Sequence, residues 1–169
     1  MAILFAGCTK EQDLSGYATV DQLNALQQQI DGMSATQVYT FSVNFPAVEN
    51  EHYSQAQYNG LSGKLHNDDA ILVYAQLFGA WAQLPYCLDN LAIAYWRDGS
   101  KLYFRYGRAN YVEFTQDAET IQMKAIIIPQ DVFAKIKDNG VDLGSYNDVI
   151  DACSKTDAGI VNQSPEKGF

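Results

Sequence analysis

The chain has 169 residues and a formal net charge of −9, from 11 Lys and Arg against 20 Asp and Glu. This length can bury one hydrophobic core, and an acidic chain lacks the row of cations that sequence-independent nucleic-acid binders place on phosphates. Hydrophobic residues make up 47% of the chain and charged residues 18%, which excludes a disordered acidic tail. We therefore expect one folded domain and no nucleic-acid partner.

The first seven residues are apolar or small and precede a cysteine. The order Leu4-Phe5-Ala6-Gly7-Cys8 resembles a bacterial lipobox. The resemblance implies that residues 1–7 are a truncated lipoprotein signal peptide and that Cys8 carries the lipid of a membrane anchor. The alternative is a chance apolar run followed by an ordinary thiol.

Residues 8–18 are polar and are interpreted as a tether. Lys10, Glu11 and Asp13 look like the acidic patch that directs lipoproteins of Bacteroidetes type to the outer face of the outer membrane. We therefore expect a lipid-anchored protein of the outer membrane, exposed at the cell surface. If Cys8 is the anchor, Cys87 and Cys153 remain, and in an exported protein they could form a disulfide or stay as two separate thiols.

The next element is a predicted helix over 19–34, with Thr19 or Ser15 as its N-cap. Its apolar residues recur at spacings of three and four: Val20, Leu23, Leu26, Ile30 and Met33. Four of them fit the a and d positions of two heptads. The helix therefore either packs on its own domain or forms a short coiled coil, which would make residues 19–33 a homo-oligomer interface.

From residue 37 the hydrophobic period changes to two, which indicates strands. Strands are predicted at residues 37–45, 70–78, 81–86 and 120–128, and the apolar run 70–78 is typical of a strand buried on both faces. Ser145 is the predicted N-cap of a short helix, Tyr146–Cys153, and residues 154–169 have the composition of a flexible tail. The predicted fold is all-β: an antiparallel β-sandwich over 37–153, with an N-terminal stalk helix and a short C-terminal helix.

The strongest local pattern is a hairpin in which Asp98-Gly99 separates two alternating runs. In the expected register Trp96 lies opposite Lys101. One face of the hairpin is apolar, and the other carries Trp96, Lys101, Tyr103 and Arg105. An exposed platform of this kind would bind a glycan or a protein ligand. The alternative is that a second sheet or the N-terminal helix covers this face.

The motif order over residues 37–153, together with the lipobox, resembles a group of small Bacteroidetes lipoproteins. The matching segments are Leu72-Val73-Tyr74, Trp81, Leu84-Pro85-Tyr86, the hairpin, Lys124–Pro129 and Ser145–Val149. The resemblance implies an exported β-rich domain on a lipid tether. It implies no catalytic residues.

No hydrolase, metalloprotease, redox or phosphate-binding motif occurs in the sequence. The polar run His66-Asn67-Asp68-Asp69 is more typical of a solvated turn than of a metal site. We therefore predict no catalytic residue, no metal and no cofactor. The expected function is a surface-tethered, non-catalytic binding or scaffold lipoprotein. The alternatives are a glycan-binding module for polysaccharide capture and a hydrolase whose site carries no recognised motif.

Overall fold

The computed structural model describes residue 19 and residues 21–23, 35–66, 68–156 and 159–163. Two compact units divide the chain, Met1–Met33 and Ser34–Phe169. In the first unit, residues 21–23 are helical. The backbone N–H of Gln22 donates to Thr19 Oγ1 at 3.2 Å, and that of Thr19 donates to Gln22 Oε1 at 2.9 Å. Thr19 thus caps a helical turn, as a capping box does.

Most of the sequence predictions for the first unit concern residues that the structure does not describe. The signal segment 1–7, Cys8, the tether 8–18 and the remainder of the helix and coiled coil predicted over 19–34 lie outside the described residues.

The described part of the second unit contains eleven strands and two helices. In chain order they are β1 (Thr36–Phe45), β2 (Val48–Glu51), β3 (Tyr53–Tyr58), β4 (Ala70–Leu77), β5 (Ala80–Gln83), β6 (Tyr86–Leu88), β7 (Leu91–Asp98), β8 (Lys101–Arg108), β9 (Phe114–Gln116), β10 (Glu119–Ile128), α1 (Gln130–Asp138), α2 (Tyr146–Ser154) and β11 (Ile160–Gln163).

The strands form three sheets. A five-stranded sheet has the order β11-β1-β10-β4-β5, a four-stranded sheet has the order β3-β8-β7-β6, and β2 pairs with β9. All of these pairs are antiparallel except β1 with β11, which is parallel. The chain is therefore mostly β with antiparallel sheets, which confirms the predicted class at this coarse level.

One apolar cluster joins side chains of the two larger sheets. It contains Phe41 of β1 and Met123 of β10 from the five-stranded sheet, and Ile93 of β7 and Phe104 of β8 from the four-stranded sheet. These side chains are at most 4% exposed. The alternation read from the sequence places them correctly, because every second residue of a strand points to the same face.

A second cluster covers the other face of the five-stranded sheet. Val38, Tyr74 and Ile126 of the sheet pack there against Val132 of α1 and Val149 of α2. Strand β4 therefore lies between two apolar layers, which explains why residues 72–75 are all buried. Helix α2 begins at Tyr146 as predicted, and Ser145 Oγ accepts the backbone N–H of Asp148 at 3.3 Å.

The prediction of a flexible tail over 154–169 is wrong for residues Ile160–Gln163. They form β11, whose Ile160 lies beside Thr36 at the start of β1. The backbone N–H of Thr36 also donates to the carbonyl of Gly159 at 3.3 Å. Pairing with β1 satisfies backbone N–H and C=O groups that would otherwise bond to water. A local sequence pattern does not predict this pairing, because β1 and β11 are far apart in the chain.

Of the two alternatives for Cys87 and Cys153, a disulfide or two separate thiols, the structure has the second, since both thiols are free. Cys87 is exposed on β6 of the four-stranded sheet, whereas Cys153 is a completely buried residue of α2, in the cluster on the helix-covered face of the five-stranded sheet. A disulfide would require the two sulfur atoms to be about 2 Å apart, and these two residues lie in different layers. Burial raises the pKa of the Cys153 thiol.

The hairpin differs from its prediction by one residue in the turn. Asp98 pairs with Lys101, so the two central residues are Gly99 and Ser100, with Gly99 at φ +57°. A glycine at the first central position is the pattern of a type II′ turn. Each residue of β7 therefore lies opposite a residue of β8 two positions later than expected, as Trp96 lies opposite Tyr103 and not Lys101. Because side chains alternate with a period of two, this shift leaves every residue on its predicted face.

Candidate binding surface on the four-stranded sheet

The residues of β7 and β8 that point into the core identify those that point outward. Ile93, Leu102 and Phe104 are 0% exposed and belong to the cluster between the sheets. The alternate residues of β7 and β8 therefore point away from that cluster. None of those alternate residues is a member of either apolar cluster.

Strand register arranges this outward face in rows, because residues directly opposite in antiparallel strands lie side by side. Moving from β3 toward β6, the rows are Tyr53, Gly107, Ala92 and Cys87; then Gln55, Arg105 and Ala94; then Gln57, Tyr103 and Trp96; and finally Lys101 and Asp98. The central strands β8 and β7 thus carry the middle of the surface.

Four side chains on this face form a continuous stack. The rings of Trp96 and Tyr103 are 5.2 Å apart between centroids and only 12° from parallel. The guanidinium carbon of Arg105 lies 4.8 Å from the centroid of Trp96 and 4.4 Å from that of Tyr53. We call Tyr53, Trp96, Tyr103 and Arg105 the aromatic strip.

The structure brings together three of the four residues predicted for the platform. Trp96 and Tyr103 are half-buried and Arg105 is exposed. Lys101 is exposed at the turn end of the hairpin, opposite Asp98, and does not join the stack.

Tyr53 is the residue that sequence reasoning missed, since the polar segment 47–69 had no assigned strand. The alternation was nevertheless present. Ser54 is 1% exposed and faces inward with Ala56 and Tyr58, whereas Tyr53 is 38% exposed and faces outward. This period of two would have predicted a strand with Tyr53 on its outward face, although it does not predict the pairing of that strand with β8.

Small residues form the floor beside the strip. Gly107, Ala92 and Ala94 occupy positions between Tyr53 and Trp96. At Gly107 a Cβ atom would lie 2.7 Å from the carbonyl oxygen of His52 and 3.2 Å from Tyr53 Cα. The close approach of β3 thus requires glycine here, and the floor is lower than the aromatic side chains around it.

The stack determines which chemical groups this surface offers. Stacking occupies ring faces, so the groups left for a ligand are the edges: tyrosine hydroxyls, the indole N–H and the guanidinium N–H groups. Within the described residues, no acidic side chain forms an ion pair with Arg105. The surface is therefore rich in hydrogen-bond donors.

A concave region lies between the two helices, away from the strip. This cavity of about 740 Å³ has a mixed lining that includes Lys135, Asp142, Asp148 and Lys155. Lys155 Nζ lies 2.5 Å from Asp151 Oδ2 in an exposed ion pair. Such an i, i+4 pair on a solvated helix is a common surface feature.

Another concave region, of about 400 Å³, includes Tyr106, Arg108 and Glu119. Burial and a hydrogen bond with Glu119 raise the pKa of Tyr106 to about 12. In the part of the chain that the structure describes, no group of three His, Cys, Asp or Glu residues could hold a metal ion.

No protein-family model, curated protein or solved structure matches this chain. Among the helices of the described residues, none combines the length and apolar composition needed to cross a bilayer. The role of the aromatic strip is accordingly inferred from its own contacts and charges.

Proposed function

We propose that this chain is a non-catalytic ligand-binding domain and that the aromatic strip is its binding surface. The observation that carries the proposal is the location of the strip. Three aromatic residues lie on a sheet face that contributes to neither apolar cluster. Clustered Trp, Tyr and Arg side chains are the residue types that dominate binding energy at interfaces.

The scaffold for this surface is, in our proposal, a β-sandwich of the five- and four-stranded sheets. Two contacts between the sheets support it. The rings of Phe41 on β1 and Tyr58 on β3 stack at 3.8 Å with an interplanar angle of 7°. The hydroxyl of Tyr95 on β7 donates to the carbonyl of Ile71 on β4 at 2.8 Å. Two sheets joined through packed side chains provide a rigid base for a binding site.

The domain is, in our proposal, tethered to the outer membrane and displayed at the cell surface. Lipid on Cys8 would anchor it, residues 8–18 would act as the tether, and self-association would use residues 19–33. The lipobox-like order 4–8 and the acidic patch after it support this location. Mass spectrometry of the protein from its native membrane tests the anchor: a lipidated Cys8 is expected, and an intact residue 1–8 segment would contradict it.

The ligand class that the surface supports best is a glycan. Sugar hydroxyls both donate and accept hydrogen bonds, and Gln55 and Gln57 place side-chain amides with both capacities beside Arg105 and Tyr103. The tyrosine hydroxyls and the indole N–H at the ring edges add further hydrogen-bonding groups for a sugar. A protein ligand is the alternative.

A glycan array with the described domain tests both the site and the ligand class. Binding by the wild-type chain should be lost in Trp96→Ala. The matched control is Phe78→Ala, which removes an aromatic ring that is 81% exposed on the β4–β5 turn, away from the strip. Equal loss in both variants, or full binding by a folded Trp96→Ala protein, would show that the strip is not the site.

Cys87 provides an independent readout, since it is an exposed thiol in the same row as Tyr53 and Ala92. A fluorophore on Cys87 should change its emission when a glycan occupies the strip. The labelled Trp96→Ala protein should show no change with the same glycan.

A further inference from the structure

We propose that the ligand of the aromatic strip is an acidic glycan and that Arg105 binds its carboxylate. This inference rests on the proposed function of the strip and specifies its ligand. It follows from the orientation of Arg105, from the charge of the surrounding face and from the position of the strip within the sheet.

The orientation of Arg105 is set by two rings. Its guanidinium carbon lies 4.4 Å from the centroid of Tyr53 and 4.8 Å from that of Trp96. Stacking uses the flat face of the guanidinium and leaves its N–H edges available. A guanidinium held this way loses little freedom on binding and can donate two parallel hydrogen bonds to a carboxylate.

The charge around Arg105 is the reverse of that of the whole chain. Its immediate neighbours across the sheet are Gln55 and Ala94, both uncharged. Lys101 adds a second cation on the same face two rows from Arg105, and Asp98 is the acid opposite Lys101 at the turn. In a chain of net charge −9, these rows carry two cations and one acid, and the Arg105 guanidinium has no acidic partner among the described residues. An anionic ligand would supply that partner.

The position of the strip favours a glycan over an acidic peptide. Extended peptides commonly bind at sheet edges, where unpaired backbone groups are available. Arg105 and Tyr103 lie on β8, whose backbone pairs at these positions with β3 on one side and with β7 on the other. Recognition must therefore use side chains, and amides and hydroxyls suit sugar hydroxyl groups.

Polygalacturonate and its fully methyl-esterified form are matched probes, because esterification removes the carboxylate charge and keeps the sugar. Isothermal titration calorimetry should detect binding of the acidic polymer and loss of most of that binding after esterification. Arg105→Gln should bind the acidic polymer about tenfold more weakly or worse, as expected for a lost charged hydrogen-bond pair. The affinity of Arg105→Lys for the acidic polymer should lie between those of the wild-type chain and Arg105→Gln, since an ammonium keeps the charge but lacks the planar, two-pronged donor geometry of a guanidinium.

Lys137→Gln is the control for net charge, because it removes one cation from an exposed position on α1. It should bind like the wild-type chain. Equal binding of both polymers, or unchanged binding by Arg105→Gln, would overturn the role of Arg105. If Trp96→Ala still abolished binding in that case, the strip would stand as the site of a neutral glycan.

Two other outcomes bear on the ligand class. Poly-L-glutamate offers carboxylates without sugar hydroxyls, and binding equal to that of polygalacturonate would overturn the assignment to a glycan. Failure of the wild-type chain to bind polygalacturonate at millimolar uronate would overturn the inference as well, while the glycan array would still decide whether the strip binds another ligand.

Discussion

Two cations in this protein lie between two aromatic rings, and their settings differ. Arg105 lies between Tyr53 and Trp96 on the outward face of the four-stranded sheet. The Lys124 ammonium lies 4.4 Å from the centroid of Trp81 and 4.1 Å from that of Tyr146. The first arrangement joins strands of one sheet. The second joins β10, β5 and the helix α2.

The comparison shows that a cation–π contact can stabilise the fold when it is half-buried between layers and can form a binding surface when it is exposed. Lys124 and its two rings are all half-buried, and Tyr146 also packs edge-on against the buried Tyr74. This group connects the helix layer to the five-stranded sheet, so its loss should destabilise the fold. Arg105 is exposed and its stack covers only a surface, so its loss should affect binding. Cation–π energies follow the same trend, from about 0.5–1 kcal/mol at exposed sites to about 2 kcal/mol when desolvated.

The largest expected contrast is between the two tyrosines. Tyr146→Ala removes the contacts with Tyr74, Trp81 and Lys124 and should lower the free energy of unfolding by about 3 kcal/mol. Tyr103→Ala removes one exposed-face stack with Trp96 and should cost about 1 kcal/mol. Urea unfolding followed by circular dichroism measures both values. Similar losses in the two variants would contradict the distinction between a structural and a binding cluster.

The two cations provide a smaller contrast. Lys124→Gln should lower the free energy of unfolding by about 1–2 kcal/mol, and Arg105→Gln by about 0.5 kcal/mol. Both substitutions change the net charge equally, so urea midpoints at matched pH and salt compare them directly. A larger loss in the Arg105 variant would indicate that the aromatic strip supports the fold.

Tyr74 makes the helix-covered side sensitive to alkaline pH. Burial raises the pKa of its hydroxyl well above the usual range, and the hydroxyl donates to the carbonyl of Leu143 at 2.7 Å. A tyrosine in the unfolded chain ionises near pH 10, whereas folded Tyr74 stays protonated. Its contribution to stability is therefore complete below about pH 10 and is lost as pH rises further.

The test compares Tyr74→Phe with the wild-type chain. The variant should be about 1 kcal/mol less stable at pH 7, because the Leu143 carbonyl loses its donor. Its stability should then fall less steeply between pH 10 and 12. A slope identical to that of the wild-type chain over this interval would exclude Tyr74 as a source of the pH dependence.

Cys87 and Cys153 give a contrast that needs no change in stability. Cys87 should react with a thiol reagent in the native protein, and Cys153 only after unfolding, because Cys153 is completely enclosed. Peptide mass spectrometry of the labelled protein, with and without urea, assigns the modification to each cysteine. Slow labelling of Cys87 in the native state would mean that another part of the chain covers the outward face.

Local patterns predicted much of the domain. The apolar run at β4, the alternation at β1, the hairpin and the Ser145 cap of α2 all depend on neighbours in the chain, and they were found. Register was missed because Gly99 can occupy either central position of a two-residue turn, and the choice depends on pairing along the full length of β7 and β8.

The candidate site was partly predictable for the same reason. Trp96, Tyr103 and Arg105 belong to one hairpin, so a period of two places them on one face. Tyr53 comes from β3, about fifty positions earlier, and joins them only through the pairing of β3 with β8. The locations of Cys87 and Cys153 in different layers and the pairing of β11 with β1 also depend on residues far apart in the chain.

By itself the sequence determined the class of structure, the faces of the strands and the composition of the hairpin surface, since each of these is set by residues a few positions apart. The tertiary structure decided which distant residues meet. It placed Tyr53 and Trp96 on the two sides of Arg105, buried Cys153 of α2 against the five-stranded sheet and covered one sheet face with helices. Those choices depend on packing across the sheets, which no local spacing encodes.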